Sequence, residues 1–227
     1  MTALLRTADD ILRRAPWTTA PHDAGRAVPR LAGCVVAFAC VYGAAMGAYR
    51  GFNAEPQWAL QMAYSAIKAP LLLGGSFLLT LPAFFTLSSL LGLRDSFGQM
   101  VRALVAGQAA LAIALAAFAP LTLLAYASSP DYDFARAFNA VVFATAALAG
   151  QSVLRRHCRP LIEQNRRHRT LLVAWGGVYA FVAIQLAWLL RPFFGASGLA
   201  VRFLREEAWD NAYVQLARIV WRAVVGE

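Results

Sequence analysis

Five stretches of this chain hold no Asp, Glu, Lys, Arg or His: residues 31–49, 69–93, 103–127, 137–154 and 170–190. Each approaches or exceeds the ~20 apolar residues that a helix needs to cross the hydrocarbon core of a bilayer. Charges stand at their edges, at Arg30 and Arg50, Lys68 and Arg94, Arg102, Arg136 and Arg155, and Arg169 and Arg191. In hydrocarbon a chain must satisfy its own backbone amides and carbonyls, and within a single stretch only a helix does so. The sequence therefore predicts an all-α fold, a polytopic membrane bundle of five transmembrane helices with short interfacial amphipathic helices at both ends. Composition agrees: 15% of residues are charged and the mean hydropathy is +0.53, where a soluble domain has about 25% charged residues.

The predicted organisation has three parts: an N-terminal segment, 1–30; the bundle, 31–190; and a C-terminal segment, 191–227. In the first, Leu4, Ala8, Ile11, Leu12 and Ala15 share one helix face, with Asp9, Asp10, Arg13 and Arg14 turned away. That pattern suits a helix lying on the membrane, or one packed on the protein's own loops. In the last, Trp209, Tyr213, Leu216, Val220 and Val224 form a stripe opposite Asn211, Gln215, Arg218 and Arg222. It reads as an interfacial helix, with a sixth span as the alternative. The thirty residues before the first span are far longer than the basic leader of a signal peptide, so that span is expected to be retained.

Orientation follows from the basic residues of the short connections. With the N-terminus inside, segments 1–30, 94–102 and 155–169 carry thirteen basic residues, against eight on the other side. Twenty arginines with one lysine resemble the product of a GC-rich bacterial genome. The expected location is a bacterial inner membrane, multi-pass, N-terminus cytoplasmic. Three cysteines, Cys34, Cys40 and Cys158, make no disulfide framework and fit a reducing compartment.

Within the spans, Gly43, Gly47 and Gly51 recur every four residues, the spacing at which helix backbones approach closely. They predict helix packing, within the bundle or between copies, and Gly74–Gly75 and Gly176–Gly177 are read as packing sites too. Pro82 and Pro120 predict kinks. Lys68, Trp188 and Arg191 are the expected interfacial anchors, Lys68 by snorkelling from the mouth of the second span; the alternative is that the apolar "PQWALQMAYSAI" before it buries Lys68, with Glu55 or Asp131 as its partner. "SFGQ" at 96–99 has the form of a capping box, and "SSPDYDF" offers Ser129 as an N-cap.

The stretch "RRHCRPLIEQNRRHRT" reads as a basic loop. Its Arg155, Arg156, Arg159, Arg166, Arg167 and Arg169 are candidates for lipid headgroup contact, since anionic lipid attracts each nearby basic residue by about 1 kcal/mol. His157, Cys158 and His168 have no zinc-ligand spacing. The sequence has no HExxH, no GxSxG and no phosphate-cradling Gly-Lys-Ser/Thr loop. No ionisable group lies at depth in the predicted spans, where Gln108, Asn139, Gln151 and Gln185 are the polar residues. The reading is non-enzymatic, without catalytic residues, cofactor or metal, and without nucleic-acid motifs.

Five spans, a cytoplasmic N-terminal segment, "YGAAMGAYRG", "KAPLLL…LP" and the terminal "AWLLRPFFG" together resemble bacterial membrane proteins allied to the Yip1 family, over roughly residues 30–195. The resemblance implies a five-helix bundle without enzymatic activity. The long cytoplasmic N-terminus of eukaryotic members is missing, so their contact with small GTPases is not carried over. The expected role is that of an accessory, assembly or membrane-organising subunit. Its expected partners are membrane lipids, anionic on the cytoplasmic side, and a protein partner or second copy. The alternative is a component of a transporter or lipid-translocating system, with a pathway between the kinked helices 2 and 3.

Overall fold

The computed structural model describes residues 2–19, 24–195 and 200–204. The C-terminal amphipathic stripe, 209–224, lies outside the described residues. Among those described, all regular structure is helical: α1 (Thr2–Leu12), α2 (Pro16–Thr19), α3 (Ala24–Gly47), α4 (Tyr49–Phe52), α5 (Trp58–Leu90), α6 (Phe97–Ser128), α7 (Tyr132–Gln164) and α8 (Arg167–Leu189), with a 3-10 turn at Arg94–Ser96. Five helical segments are long and apolar enough to cross a membrane. The chain is a multi-pass membrane protein built as an all-α bundle.

The helices stand side by side in the order α8, α5, α3, α6, α7, and the two ends of that row, α7 and α8, barely meet. The first span therefore sits between the second and third. The backbones of α5 and α6 stay apart along most of their length, and their side chains meet near the joining turn, where the rings of Phe84 and Phe85 lie 5.6 and 5.3 Å from that of Phe97. The antiparallel runs gather α1 and the α5–α6 and α7–α8 turns at one end, here called the basic end. α4, the α6–α7 turn and residues 190–195 gather at the other, the far end.

α6 is the axis of the bundle. Every residue from 102 to 110 is buried, as expected of a helix enclosed on all sides, and its run of alanines admits close neighbours. On its α7 side a Cβ on Gly150 would lie 2.8 Å from the Gly107 carbonyl oxygen and 2.9 Å from Leu111 Cβ. On α3, a Cβ on Gly43 would lie 2.9 Å from Ala66 Cα, and one on Gly47 2.6 Å from Met62 Cα, both on α5. Gly43 and Gly47 thus seat α3 against α5 within the chain, and Gly51 lies beneath the Trp58 ring. Gly74, Gly176 and Gly177, read as packing sites, have open space where a Cβ would stand.

Several local expectations are corrected. α5 begins at Trp58 rather than at residue 69, because "WALQMAYSAI" favours a helix as well as the residues after it do. α7 runs unbroken to Gln164 through Pro160, so most of the supposed basic loop is helix and the turn itself is confined to Asn165 and Arg166. Ser96 makes no capping hydrogen bond. Asp131, not Ser129, caps α7 by accepting from the Asp133 amide at 2.9 Å. Pro82 and Pro120 do fall inside spans, within α5 and α6, and both helices continue past them. α1 docks on the bundle through the buried Ala8 and Ile11, with Leu4 and Leu12 left exposed.

Candidate functional site

Lys68 departs furthest from expectation. Ten residues inside α5, about 15 Å from its start, it is 0% exposed and so does not snorkel. Gln61, Ser65 and Lys68 lie on one face of the helix at spacings of four and three, and all three are wholly buried. Opposite them runs the non-helical segment after α8, whose carbonyls have no helical amide to accept from. Lys68 Nζ donates to the Pro192 carbonyl at 2.8 Å. Gln61 Nε2 donates to the Phe193 carbonyl at 2.8 Å, and the Ser65 hydroxyl reaches that same carbonyl. The Lys68 ammonium also lies 5.1 Å from the centre of the Phe203 ring, a cation–π distance. Glu55 pairs instead with Arg50, at 3.3 Å, and Asp131 is occupied as a cap.

The clasp continues through aromatic packing. Phe193 packs against the main core, while Phe194 meets Tyr132 at 5.9 Å and joins Tyr49 and Tyr126. Gly195 takes φ +64°, and a Cβ there would lie 2.9 Å from Arg50 Cδ; glycine suits the position on both counts. Arg191, an expected anchor, spreads its guanidinium over the Trp188 ring, 3.1 Å from the centroid. Both residues are half-buried.

Two of the other polar groups at depth, Asn139 and Gln108, close in separate contacts, while Gln151 is exposed. Asn139 accepts from the Tyr42 hydroxyl at 2.8 Å and donates to the Tyr126 oxygen at 2.7 Å, tying α3, α6 and α7 together. Tyr179 on α8 donates to Gln108 on α6 at 3.2 Å. Gln185 Oε1 is buried with no hydrogen-bond partner.

At the basic end, Arg155, Arg156, Arg159, Arg166, Arg167 and Arg169 are all exposed. Arg159 pairs with Glu163 at 2.9 Å, and Arg167 donates to the Leu91 carbonyl at 3.3 Å. His157 and Cys158 are buried, not in a loop; the histidine Nδ1 lies 3.0 Å from the Val153 carbonyl oxygen and its Nε2 3.3 Å from Thr18 Oγ1. His168 Nδ1 lies 3.0 Å from the Asn165 carbonyl oxygen. Beside His157, a cavity of about 200 Å³ is bordered by Arg14, Gln99, Arg102 and Gln164. Between α7 and α8 opens a larger crevice of about 570 Å³, with Arg155 and Arg169 among its lining residues. A third cavity, about 300 Å³ and almost wholly apolar, lies between α3, α5 and α6 beside Pro70 and Leu73.

Sequence reasoning missed Gln61 and Ser65, although their spacing from Lys68 was visible. It also missed the glycine pair Gly107 and Gly150, which lie on different helices and have no common motif. Compared with protein-family models, curated proteins and solved structures, the chain matches none.

Proposed function

We propose that this chain is a non-enzymatic inner-membrane protein, N-terminus cytoplasmic, that serves as an accessory, assembly or membrane-organising subunit through helix packing and lipid contact. The observation that carries the reading is the division of its polar groups. Those at depth are largely spent on holding the bundle together: Asn139 between two tyrosines, Gln108 on Tyr179, and Gln61, Ser65 and Lys68 on the carbonyls of residues 192 and 193. The arginines of the basic end are instead exposed, as a headgroup-facing surface requires. Large apolar side chains face outward along the spans, including Leu78, Val141, Leu148 and Val173. Kinship with Yip1-like proteins belongs to the same proposal and rests on the sequence features of residues 30–195.

Lipid translocation is the second reading. It draws support from the apolar cavity beside Pro70, which has acyl-chain character and is bounded by α3 as well as α5 and α6. Purification of the full chain in mild detergent, with identification of the proteins and lipids that accompany it, separates the two. A stoichiometric protein partner supports the accessory role. A monodisperse homomer that carries lipid and no other protein moves the assignment to translocation.

A further inference from the structure

A gap opens between α7 and α8. The two helices barely meet, and α8 contributes only His168, Leu171 and Trp175 to the buried interior. Three observations together suggest an occupant. The crevice of about 570 Å³ has an apolar floor at Leu154, Leu172, Val173 and Gly176. Its lining includes Arg155 from α7 and Arg169 from α8, both toward the basic end of their helices and both exposed. Trp175, one to two turns deeper than Arg169, is 3% exposed, and its indole N–H is buried with no hydrogen-bond partner. A smaller cavity of about 70 Å³ shares Gln151, Leu154 and Trp175 with the crevice and extends it inward toward Tyr179 and Gln108.

We propose that this crevice binds one anionic glycerophospholipid of the surrounding membrane. Arg155 and Arg169 take the phosphate from opposite walls, the glycerol backbone passes Leu172 and Val173, the Trp175 N–H donates to an ester carbonyl, and one acyl chain continues over Gly176 and Leu154. Along α8 the lining runs from Arg169 at the basic end through Leu172 and Val173 to Trp175 and Gly176, so a cation stands where the headgroup enters and apolar surface lies deeper. Guanidinium groups suit the phosphate because they can donate two parallel hydrogen bonds. Gly176 has open space where a Cβ would stand, and that space is part of the chain's path. The inference deepens the lipid-contact half of the proposed function and is independent of whether a protein partner exists.

Native mass spectrometry of the full chain, released from detergent with phosphatidylglycerol or phosphatidylcholine of identical chains, tests it. The wild type is expected to retain one phosphatidylglycerol in preference to phosphatidylcholine. R155Q/R169Q should weaken phosphatidylglycerol retention roughly 25-fold, about fivefold for each hydrogen-bonding partner of the phosphate that is lost. R156Q/R159Q, two exposed arginines outside the crevice lining, should leave it nearly unchanged. Gly176→Phe, which fills the crevice and keeps both arginines, should reduce retention of both lipids. Size-exclusion profiles and melting curves confirm that each variant is folded. Equal losses in the two arginine pairs would mean annular attraction to charge and overturn the site, as would wild-type retention by R155Q/R169Q or by Gly176→Phe. Co-purification of a protein partner is read on the wild type alone, so either result can fail without the other.

Discussion

A charged residue inside a span is retained where its head finds a fixed partner, and Lys68 finds one in a peptide carbonyl rather than a carboxylate. The Nζ–Pro192 contact ties a segment without helical hydrogen bonds to the first third of α5. Lys68→Met keeps the length of the stem and removes the donor. Hydrogen exchange across residues 190–195 is expected to quicken about fivefold, the equivalent of ~1 kcal/mol for one hydrogen bond, while α3 and α6 keep their protection; unchanged exchange at 190–195 would show that the aromatic packing of Phe193 and Phe194 holds the segment alone. Asn139 has a different office, since its two tyrosine partners come from two other helices. Asn139→Leu should lower bundle stability by about 1–2 kcal/mol, because interhelical hydrogen bonds in membrane proteins average about 0.6 kcal/mol each and reach about 1.7. Denaturant titration of the detergent-solubilised chain measures it, with Gln99→Leu on the exposed first turn of α6 as the control. The presence of Lys68 and Asn139 was legible in the sequence; their partners were not. Pro192 lies 124 residues from Lys68 and Tyr42 lies 97 from Asn139, and no local pattern encodes such a pairing.

Helix by helix, hydrophobicity located the spans and misjudged their ends. A transfer argument marks where hydrocarbon begins, whereas a helix continues as long as its residues favour it. α5 and α7 accordingly extend past the membrane-length core, to 33 residues each. Small residues carry the packing of these elements, and their consequences differ by position. Gly47→Leu should destabilise or prevent assembly of α3 on α5, because even a Cβ would stand 2.6 Å from Met62 Cα in the α5 backbone. Gly150→Ala should cost measurable stability for the same reason against the Gly107 carbonyl. Gly33→Ala and Gly74→Ala meet nothing within 4 Å and should be neutral or slightly stabilising, since alanine favours the helix by up to about 1 kcal/mol over glycine. Melting temperatures of the four variants in one detergent give the comparison. A Gly47→Leu chain as stable as Gly33→Ala would contradict the close α3–α5 seat. The motif "GAAMGAYRG" pointed to the first of these contacts; nothing comparable marked the second.

For the whole molecule, the proposed orientation makes a direct prediction. In a chain with Cys34, Cys40 and Cys158 replaced by alanine, a single cysteine at Asp133, on the far end, should react with a membrane-impermeant maleimide in intact cells. One at Asp95, in the α5–α6 turn, should react only after permeabilisation. The opposite pattern would invert the protein and place the exposed arginines of α7 and α8 outside. Charge bias alone sets the expectation, and it acts during insertion, before the bundle has packed.

Amino-acid order by itself determined that five segments become helices and enter a membrane, and which of their ends are basic. Those outcomes depend on transfer free energy and local hydrogen bonding, which each segment carries alone. The lateral order of the helices, with α3 between α5 and α6, was decided only in three dimensions. So were the burial of Lys68 against residues 192 and 203 and the opening between α7 and α8. Once helices are inserted, lipid offers their apolar surfaces the same environment that neighbouring helices do, so hydrophobicity no longer ranks one arrangement above another. Close glycine seats and a few long-range hydrogen bonds make that choice.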